Sequence, residues 1–288
     1  MRRQRLHVFC VSTGISLLLS VGSCLAQDEL ESKPGRNKGV RVYEARSAGG
    51  VTLLVENLNW YDATVTLTVR STNARIMRYK ARTDTYSGKS KSQALFIHRD
   101  DKEQPWSWRY RTRWVKGDIH AEHDDSVLYR LPFQKKKSFR VLQSYHGRFS
   151  HQGAHEYTVD FAMREGMSVC AAREGVVVDT QDKHDEGGAE DSFKNKSNYV
   201  TIVHSDGTLG EYHHLKVQGV LVEVGQAVSA GDVIGLSGNT GYSSFPHLHF
   251  GVYSPKDGRI LQSHPVAFRT AQGVILEPVK RRHYTVPE

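Results

Sequence analysis

From Val40 to about Pro132 apolar and polar residues alternate in short runs. Val51-Thr52-Leu53-Leu54-Val55, Ala63 to Val69, Ala94 to His98 and Val127 to Leu131 are such runs. Turn residues separate them about every ten positions, and no long stretch has the 3.6-residue period of an amphipathic helix. The pattern predicts a small antiparallel β-sandwich over residues 40–133. Within it Trp106, Trp108 and Trp114 are interleaved with Arg109, Arg111 and Arg113. Such a strand is either an aromatic-plus-arginine face for sugars or a strand with core-facing aromatics and solvated arginines. The basic run Gln134-Lys135-Lys136-Lys137 marks a boundary. A second domain, over residues 134–270, is again β-rich, at Gly175 to Val178, Tyr199 to Val203 and Val220 to Val224, with recurring glycines from Gly225 to Gly241. The polar insertion from Asp179 to Asn198 is either the lip of a groove or a surface loop. A basic extension, 271–288, ends the chain. The fold class expected is therefore all-β, in two domains.

Residues 1–26 follow another pattern. Arg2, Arg3 and Arg5 precede an apolar stretch from Val8 to Val21, and small residues follow to Ala26. This reads as an export signal, its apolar core too short for a permanent span, followed by a linker at 27–39. Two processing routes stay open: cleavage after Ala26 with release, or lipidation of Cys24 in Val21-Gly22-Ser23-Cys24, which would anchor the protein to the envelope. Losing the three leader arginines lowers the net charge from +8 to +5. A mildly basic exported chain suits an acidic wall or envelope polymer or simply solubility, and argues against nucleic acid as a partner. After cleavage at Ala26 only Cys170 remains, so no internal disulfide framework is expected.

Chemistry enters with Gly238-Asn239-Thr240-Gly241 and the following Pro246-His247-Leu248-His249-Phe250. Side chains two apart on a strand share a face. His247 and His249 should therefore look into one space while Leu248 and Phe250 face the core. Nine of the fifteen histidines fall between His146 and His249. In Tyr157 to Met163, Val159 and Phe161 share a face and Asp160 takes the other, a plausible carboxylate ligand near several imidazoles.

Taken in order, these segments resemble the lysostaphin/LytM-type zinc endopeptidases, which cut peptide bridges in bacterial peptidoglycan. The resemblance covers about residues 139–255 and rests on His151-x-Gly153 with a following Asp160, then Glu165 to Val177, Tyr212-x-His214-Leu215, Gly225 to Gly235, Gly238-Asn239-Thr240-Gly241 and His247-Leu248-His249-Phe250. It implies a β-sheet groove with Zn2+ on its floor, held by His151, Asp160 and His249, with His214 and His247 beside it as catalytic groups. It also implies peptidoglycan peptides as substrate. One departure stands out: eight residues separate His151 from Asp160 where the family usually has three. An insertion after Gly153 would explain this; alternatively, His155 is the first ligand and His151 a surface residue. His213 is expected to face away from the site. Two other functions stay open: a non-enzymatic regulator of other wall hydrolases, and a carbohydrate-binding or adhesive protein using the tryptophan-arginine strand.

Overall fold

The computed structural model describes residues 29–31, 39–76 and 81–288. The export signal, Cys24 and nearly all of the linker lie outside the described residues. The longer strands of the first unit are β1 (Val40–Ser47), β2 (Gly50–Asn57), β3 (Ala63–Thr72), β4 (Ala81–Tyr86), β5 (Ser90–Arg99) and β6 (Ser107–Lys116). One sheet runs Glu29–Glu31, β1, β2, β5, Ala74–Ile76, and the other β4, β3, β6. All the pairings are antiparallel. Alternation dictates the packing. Val65, Leu67 and Val69 point inward from β3 and meet Leu53, Val55 and Ile97 in one core. Trp106, Trp108 and Trp114 pack against that core, while Arg109, Arg111 and Arg113 are exposed. Of the two readings of this strand, core-facing aromatics with outward arginines is the one observed.

The second unit is organised around a larger sheet. Its principal strands are β7 (Ser138–Gln143), β8 (Val159–Phe161), β9 (Gly175–Gln181), β10 (Tyr199–Val203), β11 (Leu209–His213) and β12 (Leu248–Pro255). Their spatial order is Ala227–Val228, β9, β10, β11, β12, β8, β7 and His283–Thr285. Val159, Phe161, Tyr212, Leu248, Phe250 and Val252 bury one face of it in a continuous apolar core. Tyr129, Leu131 and Phe133 belong to this second core, and Leu128–Arg130 pairs with Ala267–Thr270. Cys170 is a free, buried thiol, pushed up to about 11 by burial.

Lys116, the last residue of β6, crosses between the units. Its ammonium sits 2.7 Å from Asp179 Oδ2 and 3.7 Å from Glu211 Oε1, and donates to Thr201 Oγ1 at 2.9 Å. Burial opposes the Glu211 charge, but Lys116 and the neighbouring His213 hold its carboxyl down at about 2.

Candidate metal centre

The three central strands of the large sheet bring the chemistry together. In register, Asp160 on β8 lies opposite His249 on β12, and His249 lies opposite His213 on β11. Because Val159, Phe161, Leu248 and Phe250 are committed to the core, the alternating positions Asp160 and His249 must emerge on the other face. His151 arrives from the loop before β8, where Ser144 fixes it: the Ser144 carbonyl accepts a hydrogen bond from His151 Nδ1 at 2.9 Å. One donor atom each from His151, Asp160 and His249 then lie within 4.8 Å of one another.

These contacts constrain the protonation. A carbonyl only accepts, so His151 carries its proton on Nδ1 and, when neutral, presents a lone pair on Nε2. That lone pair is wholly buried, has no hydrogen-bond partner, and sits 3.1 Å from Asp160 Oδ1. His249 Nδ1 lies 2.9 Å from the same oxygen. Burial alone would raise the Asp160 carboxyl, but the His151, His249 and His247 imidazoles around it hold it well below the usual carboxylate range. A protonated His151 would donate to this carboxylate, whereas with His151 neutral a lone pair faces it and the contact is unfavourable until a cation enters between them. Two imidazole nitrogens and one carboxylate suit a divalent metal with an open coordination position.

Two more histidines border this cluster. His214 Nδ1 donates to the Thr240 carbonyl at 2.7 Å, and His247 Nδ1 donates to the Phe245 carbonyl at 2.9 Å. Both therefore keep Nε2 as an acceptor. Their rings are 4.6 Å apart, and His247 Nε2 is 3.8 Å from Asp160 Oδ1. Burial, with the neighbouring His247 and His249 rings, pushes the His214 pKa well below the ordinary value.

The structure differs from the sequence reading at one histidine, His213, and sets the alternative ligand His155 apart. His155 is outside the three-residue cluster; its Nδ1 pairs with the Tyr253 hydroxyl at 2.9 Å, and that hydroxyl is 3.4 Å from His249 Nε2. His213 does not face away. It lines the cleft and pairs with Glu211 at 3.0 Å, its ring 5.9 Å from that of His249. His213 shares the face of its register partner His249, and His214 joins it because its φ of 64° is a left-handed kink that interrupts alternation just after β11. Both consecutive histidines thereby reach one cleft. A strand-period rule misses this, because nothing in Tyr212-His213-His214 announces a positive φ.

The cleft has a volume of about 720 Å³. Phe149, Tyr242 and Phe245 line it with Lys194 and Lys280, and Phe149 stacks on Tyr242 with ring centroids 6.3 Å apart. Lys194 comes from the insertion between β9 and β10, so that segment does contribute to the cleft lining.

Residues 154–268 match the family model described as Peptidase family M23. The match begins just past His151 and includes Asp160, His214, His247 and His249. Over 148 residues the chain is 34% identical to an uncharacterized metalloprotease of Buchnera aphidicola, covering 48% of this chain and 34% of that protein. Over 141 residues it is 36% identical to the peptidoglycan DD-endopeptidase ShyA of Vibrio cholerae, covering 46% of this chain and 30% of ShyA. The aligned part thus spans about a third of the length of these relatives. The catalytic domain of lysostaphin from Staphylococcus simulans aligns at 29% identity and a TM-score of 0.30, covering 44% of this chain and 88% of that one. By the match over 154–268 and the identity shared with these relatives, this part of the chain is similar to peptidase family M23.

Proposed function

We propose that this protein is an exported, zinc-dependent endopeptidase that hydrolyses peptide bonds in the stem peptides or cross-links of peptidoglycan. The observation that carries the reading is the convergence of His151 Nε2, Asp160 Oδ1 and His249 Nδ1, with no other partner for the buried His151 nitrogen. These three residues would hold Zn2+. The bound ion would supply Lewis acidity and lower the pKa of a water at the site.

The remaining steps fall to the protein's own side chains. With Nδ1 committed to backbone carbonyls, His214 and His247 offer Nε2 on the cleft side. One accepts the proton of the attacking water at Nε2 and returns it to the leaving amine; the other, once protonated at Nε2 as well, donates a hydrogen bond to the oxyanion of the tetrahedral intermediate. The backbone carbonyls of Thr240 and Phe245 hold Nδ1 of both rings and leave Nε2 for the cleft. Phe149, Tyr242 and Phe245 offer apolar surface to the peptide, and Lys280 offers a charge for its carboxylates. The substrate assignment draws on the likeness to ShyA, and export rests on the leader pattern of residues 1–26.

The test is digestion of purified sacculi by the wild-type protein and a His249→Ala variant. The wild type should release soluble muropeptides and the variant none. Equal release by both would discard the metal centre as the seat of activity.

A further inference from the structure

Far from the cleft, the outer face of the β4-β3-β6 sheet carries a second, chemically distinct feature. Arg109, Arg111 and Arg113 alternate along β6, and Arg70 stands opposite Arg109 on β3. All four are exposed, as is Arg259 from the loop after β12, which borders the same groove. Thr68 and Thr66 lie opposite Arg111 and Arg113, so hydroxyls are interspersed among the guanidinium groups. The groove has a volume of about 480 Å³, and Asp257 is the acid in its lining. Asp257 is occupied in its own turn, where Oδ1 accepts hydrogen bonds from the backbone of Arg259 and Ile260 at 2.7 and 3.0 Å. Among the described residues none of the five arginines forms an ion pair.

Both units build the groove, and the join is tight. Gly258 N donates to Thr66 Oγ1 at 3.1 Å, and a Cβ at Gly258 would come within 2.4 Å of Thr66 N and 2.9 Å of the Arg113 carbonyl oxygen. Only a residue without a side chain lets this loop sit against β3 and β6 and bring Arg259 into the row. Arg259 also follows directly from β12, the strand that carries His249. At a rise of about 3.3 Å per residue, the groove end of β12 lies roughly 20 Å from His249.

We propose that this arginine row is an exosite for the carboxylate-bearing peptides of the wall polymer, holding stretches other than the one being cut. The proposal rests on the peptidoglycan reading above. Guanidinium forks match carboxylates bidentately, and those along β6 recur at about 7 Å, every second residue. A polymer with acidic groups along its length offers a partner at each step, whereas a short peptide in the cleft cannot reach this face. Anchoring of this kind raises the local concentration of substrate without altering the metal centre.

The test is co-sedimentation of the full-length, zinc-loaded protein with purified sacculi. A triple Arg109→Gln, Arg111→Gln, Arg113→Gln variant and a single Arg259→Gln variant are compared with wild type, each checked for unchanged Tm and zinc content. Wild-type binding should weaken steeply with added salt. The triple variant should bind at least tenfold more weakly and lose most of that salt dependence, and Arg259→Gln should fall between. Unaltered binding by the triple variant would overturn the proposal. So would row-dependent binding to vesicles containing phosphatidylglycerol that matches or exceeds binding to sacculi, because the occupant would then be lipid phosphate. Sedimentation requires no bond cleavage. Row-dependent binding by a protein that releases no muropeptides would therefore sink the peptidase reading and leave a wall-binding row.

Discussion

Asp160 and His249 stand directly opposite each other on β8 and β12, with Asp160 Oδ1 2.9 Å from His249 Nδ1. The pairing register sets this distance, so it depends on the whole central sheet and not on a loop. Asp160→Asn keeps the shape but removes the charge that a divalent ion needs between two imidazoles. Zinc content measured by elemental analysis should fall from one equivalent to near zero, with activity at least a hundredfold lower. Circular dichroism should be unchanged.

His214 and His247 should separate binding from chemistry. In His214→Ala or His247→Ala the cluster of His151, Asp160 and His249 is untouched. Zinc content and KM should stay close to wild type while kcat drops roughly a hundred- to ten-thousand-fold. A lost metal in either variant would place that histidine among the ligands instead.

Tyr253 acts on His249 from behind. Its hydroxyl is shared between His155 Nδ1 at 2.9 Å and His249 Nε2 at 3.4 Å, which orients the opposite nitrogen toward Asp160. Tyr253→Phe should weaken zinc affinity by roughly tenfold or more, read by competition with a chelating dye. His155→Gln should have a smaller effect, because it touches the hydroxyl and not the ligand.

Folding stability should depend on pH through His204, which lies away from the metal centre. Burial is the main cause that lowers its pKa to about 4, aided by nearby Arg173 and opposed by the Glu174 carbonyl and by Asp206. Above pH 6.5 both folded and unfolded states carry it neutral. As pH falls below 6.5 the unfolded chain takes up the proton first, so stability is lost progressively until the folded pKa near 4 is reached. The full loss is on the order of 3 kcal/mol. Urea midpoints from pH 7 to pH 4 should fall less steeply in His204→Asn than in wild type.

The sequence pattern showed the alternation of Asp160 with Val159 and Phe161, and of His249 with Leu248 and Phe250, because a half-buried strand prints its faces into every second residue. The orientation of Trp108 and Arg109 was legible only as two alternatives, since alternation says which residues share a face and not which face is covered. Neither the placement of both His213 and His214 on one cleft nor the reach of Lys116 to Glu211 could be read: the first hangs on the backbone dihedral of His214, the second on how two units meet. His151 was ambiguous with His155 because the intervening turn shifts the spacing to Asp160; the buried Nε2 of His151 separates them.

The most direct measurement is mass spectrometry of cross-linked muropeptides after incubation with zinc-loaded protein, with chelator-treated protein, and with treated protein given zinc again. The account predicts that new free amino and carboxyl ends at one peptide bond appear in the first, are absent in the second, and return in the third. Cleavage that persists after complete removal of zinc, or intact muropeptides alongside a full equivalent of bound zinc, would contradict it.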